Sequence, residues 1–374
     1  MKRVIFGLLT AVIFLVTFAG CGGKISTTGT AQEQDSAQTS DESSSLDTQS
    51  ASNQSKELNL YIWTEYMPQS VLDEFEKETG IHVNVSTYST NEDMLAKVKA
   101  SNPGIYDIVV PTDYMVKMMI DQGLLQKLDK SKITNISNVD SSYLDQYFDK
   151  GNQYSLPYLG GVCALCVNKN MVKEPITSFR QIMDPKYQNS IVALNDFRAV
   201  IGMTAKSLGY SLNTTDPEEL KNVEKQLAKL KPNIKNLDSD SPKSSMLSGE
   251  TSIGYMWSAE IALCMQESSD FEVVFPEEGC YVFLDNMCIL KGAKNYDNAN
   301  TFINFVLKGE IGKMILDEYP YSSPNKAAVA LMPDSYKNNK ASNIPPEVIK
   351  NGEYVKDIGA DVSKYDSLWT DFTK

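Results

Sequence analysis

The chain has 374 residues, 42% of them hydrophobic and 22% charged, and carries a formal net charge of −13. That length is long for one core and suits two lobes, while the acidic balance argues against nucleic acid, which is drawn to basic surfaces. A single histidine, His82, leaves little room for serine-type triads or most zinc sites, which use histidine as base or ligand.

At the amino terminus Lys2 and Arg3 precede an apolar run, Val4 to Phe18. The run is shorter than the ~20 residues that span a bilayer, and it fits the apolar region of a signal peptide over 1–20. Its end, Phe18-Ala19-Gly20-Cys21, resembles a bacterial lipobox, although Phe stands where Leu is usual. That resemblance implies that Cys21 carries lipid and becomes the mature terminus. The alternative is an ordinary secretory signal with an incidental cysteine. The stretch 21–56 is built from Ser, Thr, Gln, Asn, Asp and Ala, too polar to offset its chain entropy, and reads as a disordered tether.

From Leu58 strand and helix patterns alternate. A strand over 58–62 ends in Trp63, Thr64, Glu65 and Tyr66, followed by a helix over 68–78 that Gly80 stops. A strand over 81–87, in which His82 faces outward, leads to a helix over 91–100. A third strand, 106–110, ends in Thr112, Asp113 and Tyr114. The run 155–168 reads as one long extended segment. The strand 190–194 ends at Asp196, and Asp216-Pro217-Glu218-Glu219 combines a cap, a proline and early acids as a helix start. Strands over 252–257, 271–275 and 281–290 follow, the first ending in Trp257 and Glu260 and the last containing Phe283 and Asp285. Helices over 296–307 and 309–317 come next, then shorter helices and loops. Strands separated by helical patterns of this length imply right-handed βαβ units and mostly parallel sheets.

No phosphate-cradling, dinucleotide-binding, zinc-protease or nucleophile-elbow motif is present in the sequence. Cys163 and Cys166 have CxxC spacing, but in a strand, positions three apart face opposite ways. With Cys264, Cys280 and Cys288, which lie among apolar neighbours, they read as buried free thiols; a disulfide stays open in an oxidising compartment.

Several strand ends share one composition: an aromatic ring with a carboxylate or hydroxyl. They bring forward Trp63, Thr64, Glu65, Tyr66, Thr112, Tyr114, Asp196, Trp257, Glu260, Phe283, Asp285 and Tyr321. Taken singly, a Trp can be core and Asp196 a helix cap. The recurrence across separate strand ends points to a crevice at the carboxyl ends of a sheet. An ammonium has only donors, so carboxylates must receive it, and ring faces attract the charge and shield a methylene stem. The set therefore suits an alkyl diamine or longer polyamine better than a sugar.

The runs YIWTEYMP, FEKETGIHVNVSTY, YDIVVPTDYMVKMM, YSLPYLGG, GYMWSAE, VFPEEGCYVFLDNM and YPYSSPN make residues 58–374 similar to the spermidine/putrescine-binding proteins of bacterial ABC polyamine importers. The resemblance implies an α/β, two-lobed type II periplasmic-binding-protein fold, each lobe a mostly parallel sheet flanked by helices, with the ligand cleft between them. It implies lobe 1 over 57–162 plus 284–329 and lobe 2 over 163–283 plus 330–374. By motif, Trp63, Tyr66, Trp257 and Tyr321 supply ring walls, and Thr64, Glu65, Thr112 and Tyr114 supply polar contacts. Asp196 and Asp285 match the acids that take amino groups. Spermidine-preferring members carry Glu, Gln and Trp where this chain has Ala199, Val355 and Phe283, whereas putrescine-preferring members share Phe283 and an acid at Glu260. Selectivity is thus expected around Ala199, Glu260, Phe283 and Val355, with putrescine and spermidine left unranked. The resemblance further implies a non-enzymatic monomer without cofactor or metal, anchored outside the cytoplasm by lipid on Cys21, that passes ligand to a permease. Rivals are a receptor of the same fold for another cationic solute, a polyamine sensor without transport, and a hydrolase using paired carboxylates.

Overall fold

The computed structural model describes residues 55–374. The expected signal peptide, Cys21 and nearly all of the tether lie outside the described residues.

The first strand, β1 (Glu57–Trp63), buries Leu58, Leu60 and Ile62 and leads through α1 (Gln69–Thr79) to β2 (His82–Tyr88). Helix α1 stops at Gly80, whose φ of +69° allows its N–H to close on the Glu76 carbonyl. Then come α2 (Asn91–Ala100), β3 (Ile108–Val109) and α3 (Asp113–Asp121). Strand β1 pairs in parallel with both β2 and β3. After the short β4 (Leu125–Gln126), β5 runs from Ser155 to Asn168, buried along nearly all its length.

A second parallel group follows. It consists of β6 (Ile191–Ala193), α4 (Phe197–Lys206), α5 (Pro217–Leu230), β7 (Ile234–Leu237), α6 (Lys243–Leu247), β8 (Ile253–Trp257) and α7 (Ser258–Glu267). Strand β6 pairs in parallel with β7 and β8. The Asp216 side chain accepts from the Glu218 and Glu219 N–H groups, as its place before Pro217 implies. Next are β9 (Phe271–Val274), β10 (Tyr281–Leu290), α8 (Tyr296–Val306), α9 (Gly309–Glu318) and, near the carboxyl terminus, β11 (Glu353–Tyr354).

The spatial order is β2-β1-β3-β10-β5-β8-β6-β7, with β4 and β11 on β10 and β9 on β5. Each end group is parallel as expected, whereas β5 and β10 run antiparallel to one another and to their outer neighbours. Strand β5 joins the groups: Ser155 to Cys163 pairs with β10, and Cys163 to Val167 pairs with β8. Together the groups pack as one compact unit.

Cys163, Cys166, Cys264, Cys280 and Cys288 are free and buried. His82 is exposed, with Nδ1 2.8 Å from Glu76 Oε2.

Candidate functional site

The carboxyl ends of β1, β3, β6 and β8 face a slot of about 570 Å³ of non-atom space, part of it open to solvent. The sheet geometry explains the convergence, because parallel strands deliver all their carboxyl ends to one edge. Of the residues singled out from the sequence, Trp63, Thr64, Glu65, Tyr66, Thr112, Asp196, Trp257, Glu260, Phe283, Asp285 and Tyr321 line it. Tyr114 does not. One step into α3 its side chain turns from the slot, and its hydroxyl donates to Glu92 Oε1 at 2.9 Å under the Arg198 guanidinium.

Asp285 is buried, with only neutral donors on its carboxylate. Tyr66 Oη donates to Oδ2 and Thr112 Oγ1 to Oδ1, both at 2.6 Å. The β10–β5 register shifts between Asp285 and Asn286, and such a bulge re-aims the side chain beside it. Asn91 Nδ2 holds the Thr112 hydroxyl at 3.0 Å, and Tyr158 Oη fixes the Tyr66 carbonyl at 2.6 Å. Burial pushes the Asp285 carboxyl up to about 7 against the lowering effect of those two hydroxyls. Behind it, Asp113 receives the Leu284 N–H at 3.0 Å and is pushed up to about 8, chiefly by burial. Asp285 is thus a buried acid whose side-chain partners are hydroxyls alone.

The surroundings of Glu65 and Glu260 differ. Glu65 sits at φ +49°, a left-handed conformation uncommon for a non-glycine residue. Its Oε2 lies 2.5 Å from Lys243 Nζ, which also donates to Glu260 Oε1 and Oε2 at 3.0 and 3.1 Å and to Ser241 Oγ at 3.1 Å. Burial drives Glu260 up to about 7 although Lys243 pulls it down. Burial also lowers the Lys243 ammonium, but Glu260 and Glu65 outweigh it and hold it above its usual range. Lys243 opens α6, and the loop that leads to it leaves β7 at Asp238, whose carboxylate receives the Asp240 and Ser241 N–H groups. From the same loop Asp240 receives the Ser89 hydroxyl at 2.8 Å.

Rings form the walls. Trp63 donates Nε1–H to the Val110 carbonyl at 2.8 Å and packs on Tyr88. Trp257 donates to the Ser239 carbonyl at 3.1 Å and stands edge-on to Phe283. Tyr321 closes the set, edge-on to Tyr66 with centroids 5.0 Å apart. Asp196 caps α4, accepting the Ala199 N–H at 3.0 Å, and is raised, chiefly by burial. It therefore serves as a helix cap while also lining the slot. Ala199 and Val355, expected at the selectivity end, are core residues outside the lining.

Tyr88, Ser89, Asn91, Ser239, Asp240 and Tyr281 line the slot without having been singled out. Tyr281 shares a face of β10 with Phe283 by period-two alternation, and Tyr88 ends β2 as Trp63 ends β1. Both were within reach of the strand-end argument. Among the described residues no group of His, Cys, Asp and Glu is placed to hold a metal ion.

Residues 70–344 match the model of the bacterial extracellular solute-binding proteins. The chain is 40% identical over 313 residues to the spermidine/putrescine-binding periplasmic protein of Escherichia coli K12, covering 83% of this chain and 90% of that protein. The spermidine/putrescine ABC transporter substrate-binding protein of Streptococcus pneumoniae superposes with a TM-score of 0.72 at 36% identity, over 85% of this chain and 99% of that one. A lipoprotein of Treponema pallidum gives a TM-score of 0.74 at 29% identity, over 84% and 99%. The fold is that of the type II periplasmic binding proteins. The chain belongs to the bacterial extracellular solute-binding proteins.

Proposed function

We propose that this solute-binding protein captures a linear polyamine, putrescine or spermidine, in the slot and delivers it to the permease of an ABC importer. The observation that carries this reading is Asp285: a buried carboxylate with neutral donors on both oxygens, walled by rings, at the meeting point of several strand ends. An ammonium there gains a charge-assisted hydrogen bond, worth roughly 1.5–3 kcal/mol net. A ring face adds roughly 0.5–2 kcal/mol. Two ends held this way reach the roughly −8 kcal/mol of micromolar affinity once ordering costs are subtracted. The relatives that bind spermidine and putrescine support the choice of ligand. The site works by binding, with no step of catalysis.

The same reading places the β2-β1-β3 group in one lobe and the β8-β6-β7 group in the other, with chain crossings near 162, 284 and 329. It has the protein act as a monomer outside the cytoplasm, held at the membrane by lipid on Cys21 and the tether to residue 56. Titration calorimetry with putrescine, spermidine and spermine tests the ligand assignment. Micromolar binding of at least one is expected, and no binding below millimolar to any of them overturns it. Radiolabelled palmitate on wild-type protein but not on Cys21→Ala tests the anchor; equal labelling refutes it.

A further inference from the structure

We propose that Lys243 is a built-in ammonium that fixes ligand length, occupying the carboxylates that would otherwise receive the far amino group of a longer polyamine. The inference rests on the polyamine reading above and goes beyond it by naming a residue that chooses among polyamines.

Five carboxylates line the slot: Glu65, Asp196, Asp240, Glu260 and Asp285. Lys243 contacts two of them, at 2.5 Å to Glu65 and 3.0 Å to Glu260. Among the described residues it is the only basic side chain in ion-pair contact with a slot carboxylate. Its three N–H donors are matched by Glu65, Glu260 and Ser241. The Lys243 side chain is 20% exposed and that of Glu260 only 6%, so this is not a solvated surface pair whose members exchange partners freely. A ligand ammonium that took Glu260 would leave the half-buried Lys243 ammonium with only Glu65 and Ser241 and set a second positive charge beside it, and a buried charge stripped of a partner is strongly unfavourable. The slot carboxylates left without an ion-pair partner among the described residues are then Asp285, Asp196 and Asp240. A longer polyamine that reaches the Glu65–Glu260 pair meets a lysine of like charge there.

Position supports the assignment. Lys243 opens α6, and the β7–α6 loop just before it also meets the segment after β2 through Asp240 and Ser89. Glu65 reaches Lys243 from the β1–α1 turn, in its left-handed backbone conformation.

The test titrates putrescine and spermidine into wild-type protein, Lys243→Met and Lys243→Arg, each first checked for a cooperative melt. In Lys243→Met, spermidine gains about tenfold on putrescine relative to wild type, the yield of one charge-assisted hydrogen bond to the freed carboxylates. Lys243→Arg keeps the charge and the wild-type ratio. Lys243→Gln, polar and of similar reach, carries the same expectation as Met if the methionine variant does not melt cooperatively. A spermidine-to-putrescine ratio in the neutral variants within twofold of wild type overturns the inference and leaves the polyamine reading standing. Wild-type protein that binds neither ligand overturns both.

Discussion

Two acidic regions of the slot are made from the same kinds of residue and are in opposite states. In one, Asp285 is held by Tyr66 and Thr112, which donate hydrogen bonds but bring no charge. In the other, Glu65 and Glu260 already share the ammonium of Lys243. A count of acids would rank the second region as the better cation site. The partners reverse that order, because a carboxylate that has its cation offers little to another, whereas a buried one without a cation has most to gain.

The largest expected break in this comparison is Asp285→Ala, which removes a buried slot acid that has only hydroxyl partners. Putrescine affinity should fall by at least about 100-fold, the range for truncating one partner of a buried charged pair. Titration calorimetry reads it directly, and a loss no larger than that of Glu65→Gln would erase the contrast between the two regions.

Acidification should give an effect of comparable size without mutation. Burial holds the Asp285 carboxyl at about 7. A carboxyl raised in this way favours the folded, ligand-free protein below its unfolded value, and that contribution is lost as pH rises toward 7. An ammonium requires the ionised form, so binding becomes tighter over the same interval and releases a proton near neutrality. At pH 5 about 1% of such a group is ionised, so affinity should be roughly 100-fold weaker than at pH 8. Titrations near pH 7 in buffers of different ionisation enthalpy should show proton release; uptake, or a flat pH profile, would contradict the assignment.

Trp63→Ala should cost roughly tenfold, the value of one ring face on a desolvated cation. Glu65→Gln should cost less than about fivefold, because Glu65 is the more exposed partner of Lys243 and its acid is already engaged. These two variants, measured with the same ligand, sharpen the contrast between a wall and the Lys243 region.

The parts of this arrangement that the sequence exposes are those carried by local pattern. Strands β5 and β10 stand out because both are long, mostly apolar runs, and α5 because Asp216 and Pro217 announce its start. The strand-end rule then places most of the slot. What it misses follows from pieces too short to have a pattern. Strand β7 is four residues with half-exposed positions, defined by pairing with β6, so its carboxyl end was not read as a strand end. The loop bearing Ser239 and Asp240 leaves that end and delivers Lys243 as the first residue of α6. Lys243 finds one partner 17 residues away and the other 178 away, a separation that no local spacing reports. Tyr114 errs in the other direction: its neighbour Thr112 reaches Asp285, but one helical step sends the ring to Glu92 instead.

A crystal structure with putrescine bound tests the central contrast most directly. The account predicts one ligand ammonium within hydrogen-bond distance of Asp285, with Lys243 still seated between Glu65 and Glu260. A ligand ammonium on Glu65 and Glu260, with Lys243 displaced and Asp285 unoccupied, would contradict it.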